Sequence, residues 1–406
     1  MVGSSGIISV HVGQCGLQLG SEFWKRLIEE QQTAVELTND GVDTDHDLKK
    51  EVFFRQSSNG HYTPRALLLD LEPRVINSLT KSRLFETAQA HHGKDGTGNI
   101  WTSGYHQGRD HSETIVNMIQ HEVERTDSFQ GFLLCHSIAG GTGSGLGSYL
   151  LETLNDEYSQ KNIQTYSVFP DMENSDVVVS PYNATLALKG LVREANAVVI
   201  LDNSELKSND GDWNDKFADV MAGTTSPLRF KGPTSDMVSI ISNLTSPVSN
   251  CHFLSTSLSQ ARVNTHNISS PSFYISILKI IRGNEMGAAL GVDRQQLYED
   301  NTINFVPRMR PRSIKSVSVP ALPASNTINS FTLANHTGIA RSLDKLLNQC
   351  DRLTRKQDKG AFFWSYEKDW EAMLGDGGKD IGDELTEAKE EVTKVVNEYR
   401  QMEQIV

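Results

Sequence analysis

A run of small residues, Ser137-Ile138-Ala139-Gly140-Gly141-Thr142-Gly143-Ser144-Gly145, is the segment of this chain best suited to chemistry. Residues without bulky side chains let a backbone approach a ligand closely, and successive N–H groups at a helix start cradle an anion. Thr142 and Ser144 add hydroxyl donors. The run is not a P-loop, because no Lys follows its glycines. Nor is it a dinucleotide fingerprint: counting G-x-G-x-x-G from Gly141 or Gly143, the third glycine falls on Leu146 or Ser148. A plain flexible turn is the alternative, but five glycines from Gly140 to Gly147, set between an apolar run and a helical pattern, favour phosphate binding.

Two further turns are similar. Gly13-Gln14-Cys15-Gly16 follows an apolar run and opens a helical pattern, and Gly96-Thr97-Gly98-Asn99 is a third glycine loop. Asp70-Leu71-Glu72-Pro73 offers carboxylates beside these loops, and Mg²⁺ prefers a few carboxylates together with phosphate oxygens. Asp202-Asn203 and Asp176 are candidates for contact with a ribose or a base. The sequence reveals no nucleophile–base arrangement. His91-His92 reads equally as a solvated turn or a ligand pair, and Trp101, Trp213, Trp364 and Trp370 read as packing residues.

The elements that must position these loops follow from periodicity. Gly6–Val12, Ala66–Asp70, Gly131–Cys135, Thr165–Phe169 and Ala197–Asp202 are short apolar runs with the signature of buried strands. Amphipathic patterns lie between them, with Cys15, Leu19, Phe23 and Leu27 at four-residue spacing, and others over Ser112–Val123 and Ser148–Tyr158. Strands apolar on both faces and alternating with helices predict an α/β fold around a parallel sheet, with ligands at the carboxyl ends of the strands. Beyond residue 216 the pattern loosens. Ser235–Leu244 reads as a helix, Phe273–Ile281 and Ser313–Val319 as strands, and the polar stretch Ser255–Ser272 as a separator. The expected division is 1–215, 216–337 as a smaller mixed domain, and 338–406 as a helical end. That end carries one stripe of Leu343, Leu346, Leu347, Cys350 and Leu353, and another of Ile381, Leu385, Ala388, Val392, Val396 and Tyr399.

Composition narrows the classes. The chain has 406 residues, 37% of them hydrophobic, which is enough for a sizeable core. A net charge of −13 argues against a nucleic-acid partner. Cys15, Cys135, Cys251 and Cys350 form no CxxC pair, so neither a zinc cluster nor a disulfide framework is expected and a reducing compartment is. MVGSSGIISV has no basic segment before an apolar one, so no signal peptide is expected, and no apolar run approaches membrane-spanning length.

The runs GQCG, LLDLEPRVI, GTGNIW, LLCHSIAGGTGSGLGSYLLETLNDEY, QTYSVFP, SDVVVSPYNATLALK, VVILDN and LANHTGI resemble tubulin over nearly the whole chain. CHSIAGGTGSGLGSYLLE, with Ala139 in the loop, is most similar to γ-tubulin. The resemblance implies a tubulin/FtsZ-type fold: a nucleotide domain, a core helix, an intermediate domain and outer C-terminal helices. It implies GTP or GDP with Mg²⁺, the phosphates on Ala139, Gly140, Gly141, Thr142, Gly143, Ser144 and Gly145. Gln14, Cys15 and Gln18 would approach from the first loop, Asn99 from the third, and Glu72 through the metal. Ser137, Asp176 and Asn203 match sugar- and phosphate-side positions, and Asn214 matches the asparagine that reads the guanine edge.

It further implies γ-tubulin complex proteins, α/β-tubulin engaged through α-tubulin, and lateral neighbours in a ring as partners. The implied location is a cytoplasmic microtubule-organising centre such as the centrosome, and the implied role is the templating of microtubules with at most weak GTPase activity. Several positions depart from the family pattern. Leu17 replaces an asparagine, Ser180 replaces a glutamate, and the segment from Asn203 to Asn214 is short, so that the usual base-stacking aromatic falls near Asp210. The segment from Ser257 to Phe273 is also short, and Ser239 stands where the family has a hydrolytic glutamate. A self-polymerising GTPase and a nucleotide-independent paralogue are the alternatives.

Overall fold

The structure, a computed structural model, describes residues 5–39, 48–56, 61–81, 84–171, 177–203, 212–230, 236–245, 251–259, 272–282, 304–306, 314–319, 329–355, 362–374 and 379–404. The chain begins with strand β1 (Ser5–Val12) and passes directly into helix α1 (Gly13–Asn39). A hairpin of β2 (Phe54–Gln56) and β3 (Tyr62–Pro64) precedes β4 (Ala66–Asp70). Helix α2 (Pro73–Lys81) starts at a proline, whose fixed φ and missing N–H suit a first helical position. Next come β5 (Ala90–His92), α3 (Trp101–Asp110), α4 (Ser112–Glu124) and β6 (Ser128–Ser137). The glycine run then winds into a π-helical turn, Thr142–Leu146, continuous with α5 (Gly147–Glu157). β7 (Asn162–Phe169), α6 (Ser180–Glu194) and β8 (Ala197–Asp202) complete the first half.

Strands β5, β4, β1, β6, β7 and β8 lie side by side in that order, all parallel, as the apolar runs and intervening helices predict. Alternate residues of each strand feed opposite faces. Ile7, Leu68 and Leu133 join α1 residues Phe23 and Trp24 on one side, while Ile8, Leu67 and Leu134 meet α5 and α6 residues Leu150 and Leu188 on the other. This two-sided burial explains why the strands read as continuous apolar runs.

After β8, α7 (Trp213–Thr224) is capped by the Asp212 carboxylate, which accepts from the Asn214 amide at 3.1 Å. α8 (Ser226–Arg229) and α9 (Met237–Leu244) follow. β9 (Phe253–Ser259) adds in parallel to β8, so the sheet continues past residue 216 without a break. The remaining strands are β10 (Phe273–Arg282), β11 (Asn304–Phe305), β12 (Ile314–Val319) and β13 (Asn329–His336). β13 pairs antiparallel with both β9 and β10. Helices α10 (Ile339–Thr354), α11 (Trp364–Leu374) and α12 (Ile381–Gln404) close the chain. The second stripe read from the sequence is buried throughout, from Ile381 to Tyr399. α12 lies against α6, where Glu387 pairs with Lys189 at 2.9 Å and Arg193 at 2.6 Å.

Two expectations fail. Ser255–Ser259 is strand rather than separator, because its backbone completes the ladder to β13; the rest of that stretch, 260–271, lies outside the described residues. Of the four tryptophans read as packing residues, Trp101 and Trp370 are buried, but Trp213 is 40% exposed and Trp364 68%. Both exposed rings sit at the first position of a helix, where a side chain need not face the core. Among the described residues no helix is long and apolar enough to cross a membrane.

Candidate phosphate site at the sheet switch point

From β1 the chain winds outward to β4 and β5, and from β6 it winds the other way to β7 and β8. The two adjacent strands β1 and β6 therefore flank the point where winding reverses, and a crevice opens there beyond their carboxyl ends. The loops that fill it are the first and largest glycine runs, which makes their sequence positions a consequence of topology.

Contact between loops explains the glycines. Gly13 has φ +71°, and a Cβ there would lie 3.0 Å from the Gly143 amide nitrogen. A Cβ on Gly143 would come within 2.6 Å of the Ser137 carbonyl, and one on Gly141 would overlap the Thr97 side chain. A Cβ on Gly145 would overlap the Trp101 carbonyl on α3 and lie 2.7 Å from the Tyr105 amide, and one on Gly96 would overlap the Glu72 carboxylate. Gly98 and Asn99 adopt φ of +57° and +60°, a left-handed turn that Gly and Asn tolerate. Four loops thus converge. Gly140 and Gly98 are the exceptions, since an added Cβ at either meets nothing within 4 Å, and of the two only Gly98 has a positive φ. Open space therefore faces a glycine of the run that neither neighbour packing nor a left-handed backbone requires.

The helical segment opens at Gly141, so its leading amides have no acceptor within the helix. Neighbouring polar groups are already committed. Ser137 Oγ accepts from the Ala139 amide at 3.2 Å, and the fully buried Ser144 donates its hydroxyl to the Gly140 carbonyl at 2.5 Å. The Ser144 amide donates to the same carbonyl at 3.0 Å. Ser144 therefore shapes the turn, and the donors left for an anion are the backbone groups around Gly140–Gly143 together with the half-buried Thr142.

Two side chains absent from the sequence reading hold this shape. His136, fully buried at the end of β6, donates from Nδ1 to the Gly143 carbonyl at 2.8 Å, and its Nε2 accepts from the Ser167 hydroxyl at 2.9 Å. Burial holds its pKa down to about 4, so the ring is neutral at pH 7. Asn183 on α6, also fully buried, reaches the Ala139 and Asn99 carbonyls, each at 2.8 Å. A lone histidine in FLLCHS and a lone amide in PYNATLAL are the only signals the sequence gives of them.

The other candidates fall around this cradle. Glu72 is exposed in the turn after β4, beside the buried Asp70, whose Oδ1 accepts from the Leu71 amide at 2.8 Å. Burial raises the Asp70 carboxyl to about 6. Glu72 is the carboxylate free to meet a solvated cation, and among the described residues no cluster of three or more ligating side chains could hold a metal alone. That donor set fits Mg²⁺ held mainly through phosphate oxygens. Gln14 is exposed at the start of α1; Cys15 is partly buried, and desolvation pushes its thiol up to about 11, so it is neutral at pH 7. Gln18, one turn further on, shares a pocket of about 400 Å³ with Asn214, Arg74, Ser21, Ser78 and Asp212. The two residues assigned to the first loop and the core helix are thereby brought together across α1 and α7. Trp213 is not among the lining residues. Asn203 is half-buried at the end of β8, where its amide donates to the Phe169 carbonyl at 3.2 Å. Asp176 and Asp210 lie outside the described residues.

Residues 6–210, covering β1 to the end of β8 and all three glycine loops, match the family described as Tubulin/FtsZ family, GTPase domain.

Proposed function

Because the chain belongs to the Tubulin/FtsZ family of GTP-binding proteins, we propose that it is a γ-tubulin-like subunit that binds GTP or GDP with Mg²⁺ and templates microtubule nucleation. The observation that carries this reading is the placement of two features at opposite ends of β6. The glycine cradle begins at Ser137, while α9, which bears Ser239, docks at the other end through the Met237 amide and Gln130 Oε1 at 2.9 Å. Seven residues of strand separate Gln130 from Ser137, roughly 23 Å at about 3.3 Å per residue. A subunit's own Ser239 cannot serve its own cradle, and only a head-to-tail neighbour brings the two surfaces together.

In this family the neighbour's contribution to hydrolysis is a glutamate, and its position here is Ser239. The Ser239 hydroxyl donates to Asp236 Oδ2 and its amide to Oδ1, each at 2.7 Å, so the nearest carboxylate is consumed as a helix cap. Such a surface has no general base to offer the next subunit's nucleotide. A subunit that binds nucleotide but does not trigger a neighbour's hydrolysis suits a fixed template better than a dynamic polymer. Held in a ring by γ-tubulin complex proteins, with lateral copies beside it, it would present several α-tubulin contacts at once and spare the entropy of gathering free dimers. The corresponding place of action is a cytoplasmic microtubule-organising centre.

Within the site, Glu72 would meet the hydrated Mg²⁺, the Gly140–Gly143 amides and Thr142 the phosphates, and Gln18 and Asn214 the base side. The nucleotide, when bound, supplies a polyanion at the subunit's exposed longitudinal end. His136 and Asn183 keep the cradle's backbone in place, and the apolar floor of β1 and β6 excludes water from beneath it.

The test is nucleotide extraction from the purified full chain, with seeding of α/β-tubulin assembly and capture of γ-tubulin complex proteins on the same sample. Near-stoichiometric guanine nucleotide with seeding supports the proposal. Absence of nucleotide would indicate a nucleotide-independent paralogue, and cooperative GTP-dependent filaments of the chain alone would indicate a self-polymerising GTPase.

A further inference from the structure

Asn183 lies within the first turn of α6, between strands and the C-terminal helices, and its environment is wholly protein. A primary amide has two N–H donors and an oxygen that accepts two bonds. All four are used. Nδ2 donates to the Asn99 carbonyl in the third loop and to the Ala139 carbonyl in the glycine run, each at 2.8 Å. Oδ1 accepts from the Trp101 amide at 2.9 Å and from the Tyr366 hydroxyl at 2.6 Å. The Trp101 N–H can only donate, which fixes the oxygen on that side and the nitrogen toward the two carbonyls.

These partners come from three separate parts of the chain: the third loop as it runs into the start of α3, the glycine run, and α11 in the C-terminal region. Tyr366 is fully buried, its ring is stacked on Phe363 at 5.8 Å between centroids, and it meets Tyr182 edge-on. Its ring position is therefore set by packing, and its hydroxyl is a fixed donor to Asn183. Each carbonyl held by Nδ2 precedes a peptide at the crevice. Fixing the Ala139 oxygen fixes the plane that carries the Gly140 N–H, the residue facing open space.

We propose that Asn183, oriented by Tyr366, is a positioning residue that sets the two phosphate-facing loops in register, so that the C-terminal helical layer acts on the nucleotide site without touching it. This deepens the nucleotide-binding reading and rests on it. The consequence is directional. Removing the Tyr366 hydroxyl takes away one of the two donors to Oδ1 and leaves the Trp101 amide alone on that side, so the amide, and with it the two carbonyls on Nδ2, is held less firmly. Asn183→Asp is the harsher change, because a carboxylate has no donor for either carbonyl.

The test uses the full chain and two readouts. Hydrogen exchange on nucleotide-free protein compares wild type, Tyr366→Phe, Asn183→Ala and the double variant. Tyr366→Phe should speed exchange about tenfold in peptides covering 97–101 and 139–146, as the loss of roughly one net hydrogen bond allows. Peptides from β7 and β8 should be unchanged. The same variant should weaken binding of mant-GDP with Mg²⁺ by about tenfold, and adding it to Asn183→Ala should produce no further loss. Exchange unchanged in the loops, or raised equally across the sheet, would overturn the proposal. Wild-type protein that binds no mant-GDP would refute the nucleotide reading instead, leaving the exchange result to decide the positioning role.

Discussion

If Gly140 faces the phosphates, the pair Gly140→Ala and Gly143→Ala should separate binding from stability. A methyl on Gly140 meets no protein atom within 4 Å, and its backbone is not in the left-handed region. In the free chain the change is therefore benign, or stabilising by about 0.4–1 kcal/mol through the loss of unfolded-state freedom. The methyl would occupy space needed by the anion and push it off the adjacent amides. Losing one or two charge-assisted hydrogen bonds at ~1.5–3 kcal/mol each predicts weakening of at least about tenfold. Gly143→Ala should fail differently, because its Cβ would lie 2.6 Å from the Ser137 carbonyl and 3.0 Å from the Ser137 nitrogen. Both obstacles are backbone, so the loop must shift, at ~1–3 kcal/mol. Thermal unfolding of nucleotide-free protein and mant-GDP anisotropy, run together, measure both quantities. Gly140→Ala with wild-type affinity would refute the assignment of the open space to phosphate.

Two other outcomes follow from the same geometry. Glu30 is buried between Arg229, at 2.8 Å, and Arg282, which it also contacts directly; Glu30→Gln should cost about 3–5 kcal/mol by leaving buried guanidinium charge uncompensated, seen as a lower urea midpoint, and an unchanged midpoint would mean that water reaches the triad. Burial holds His11, His136 and His336 at about 4 against an ordinary value of 6.5, so the unfolded chain binds more protons between those limits. Their contribution is complete above pH 6.5 and is lost as pH falls toward 4, with about 2 kcal/mol per ring gone by pH 5. Asp70, raised to about 6, works in the opposite sense and offsets part of this; a urea midpoint that did not drop between pH 7.5 and pH 5 would contradict the neutral, buried state of the rings.

The sequence displays what is local. The strands that build the sheet are short apolar runs, and the glycines that let loops touch are consecutive, so both can be read without the fold. The switch point can be inferred only once strand order is known, because β1 and β6 are neighbours in space but more than a hundred residues apart in the chain. His136 and Asn183 were illegible for the same reason. The acceptor that gives His136 its role is seven residues away, but the Ser167 hydroxyl that fixes its tautomer is 31 away, and the partners of Asn183 lie 44, 82, 84 and 183 positions off. A polar residue inside an apolar stretch announces that it must be satisfied, but not by what. The exposed Trp213 and Trp364 show the converse, since nothing in the residue type says that a helix's first position faces outward.

The cradle contains no charged side chain from Ser137 to Gly147, and the two residues that brace it, His136 and Asn183, are neutral with their bonds already made. An empty site built around a lysine would carry a desolvated charge awaiting its partner; one built from backbone amides carries only oriented dipoles, which cost little to hold in place. That permits the crevice to be preformed. It also means the phosphate half cannot distinguish one base from another, because amides and hydroxyls read only oxygen. On the proposed reading, discrimination falls to the pocket shared by Gln18 and Asn214. Among the residues lining that pocket there is no aromatic ring, and the planar groups are the two amides, the Glu22 and Asp212 carboxylates and the Arg74 guanidinium. If the proposed reading holds, the two halves should answer to different substitutions: changes in the cradle or its braces should weaken all nucleoside phosphates alike, while changes at Asn214 or Gln18 should alter the ratio between guanine and adenine, as competition of GTP and ATP against mant-GDP would measure.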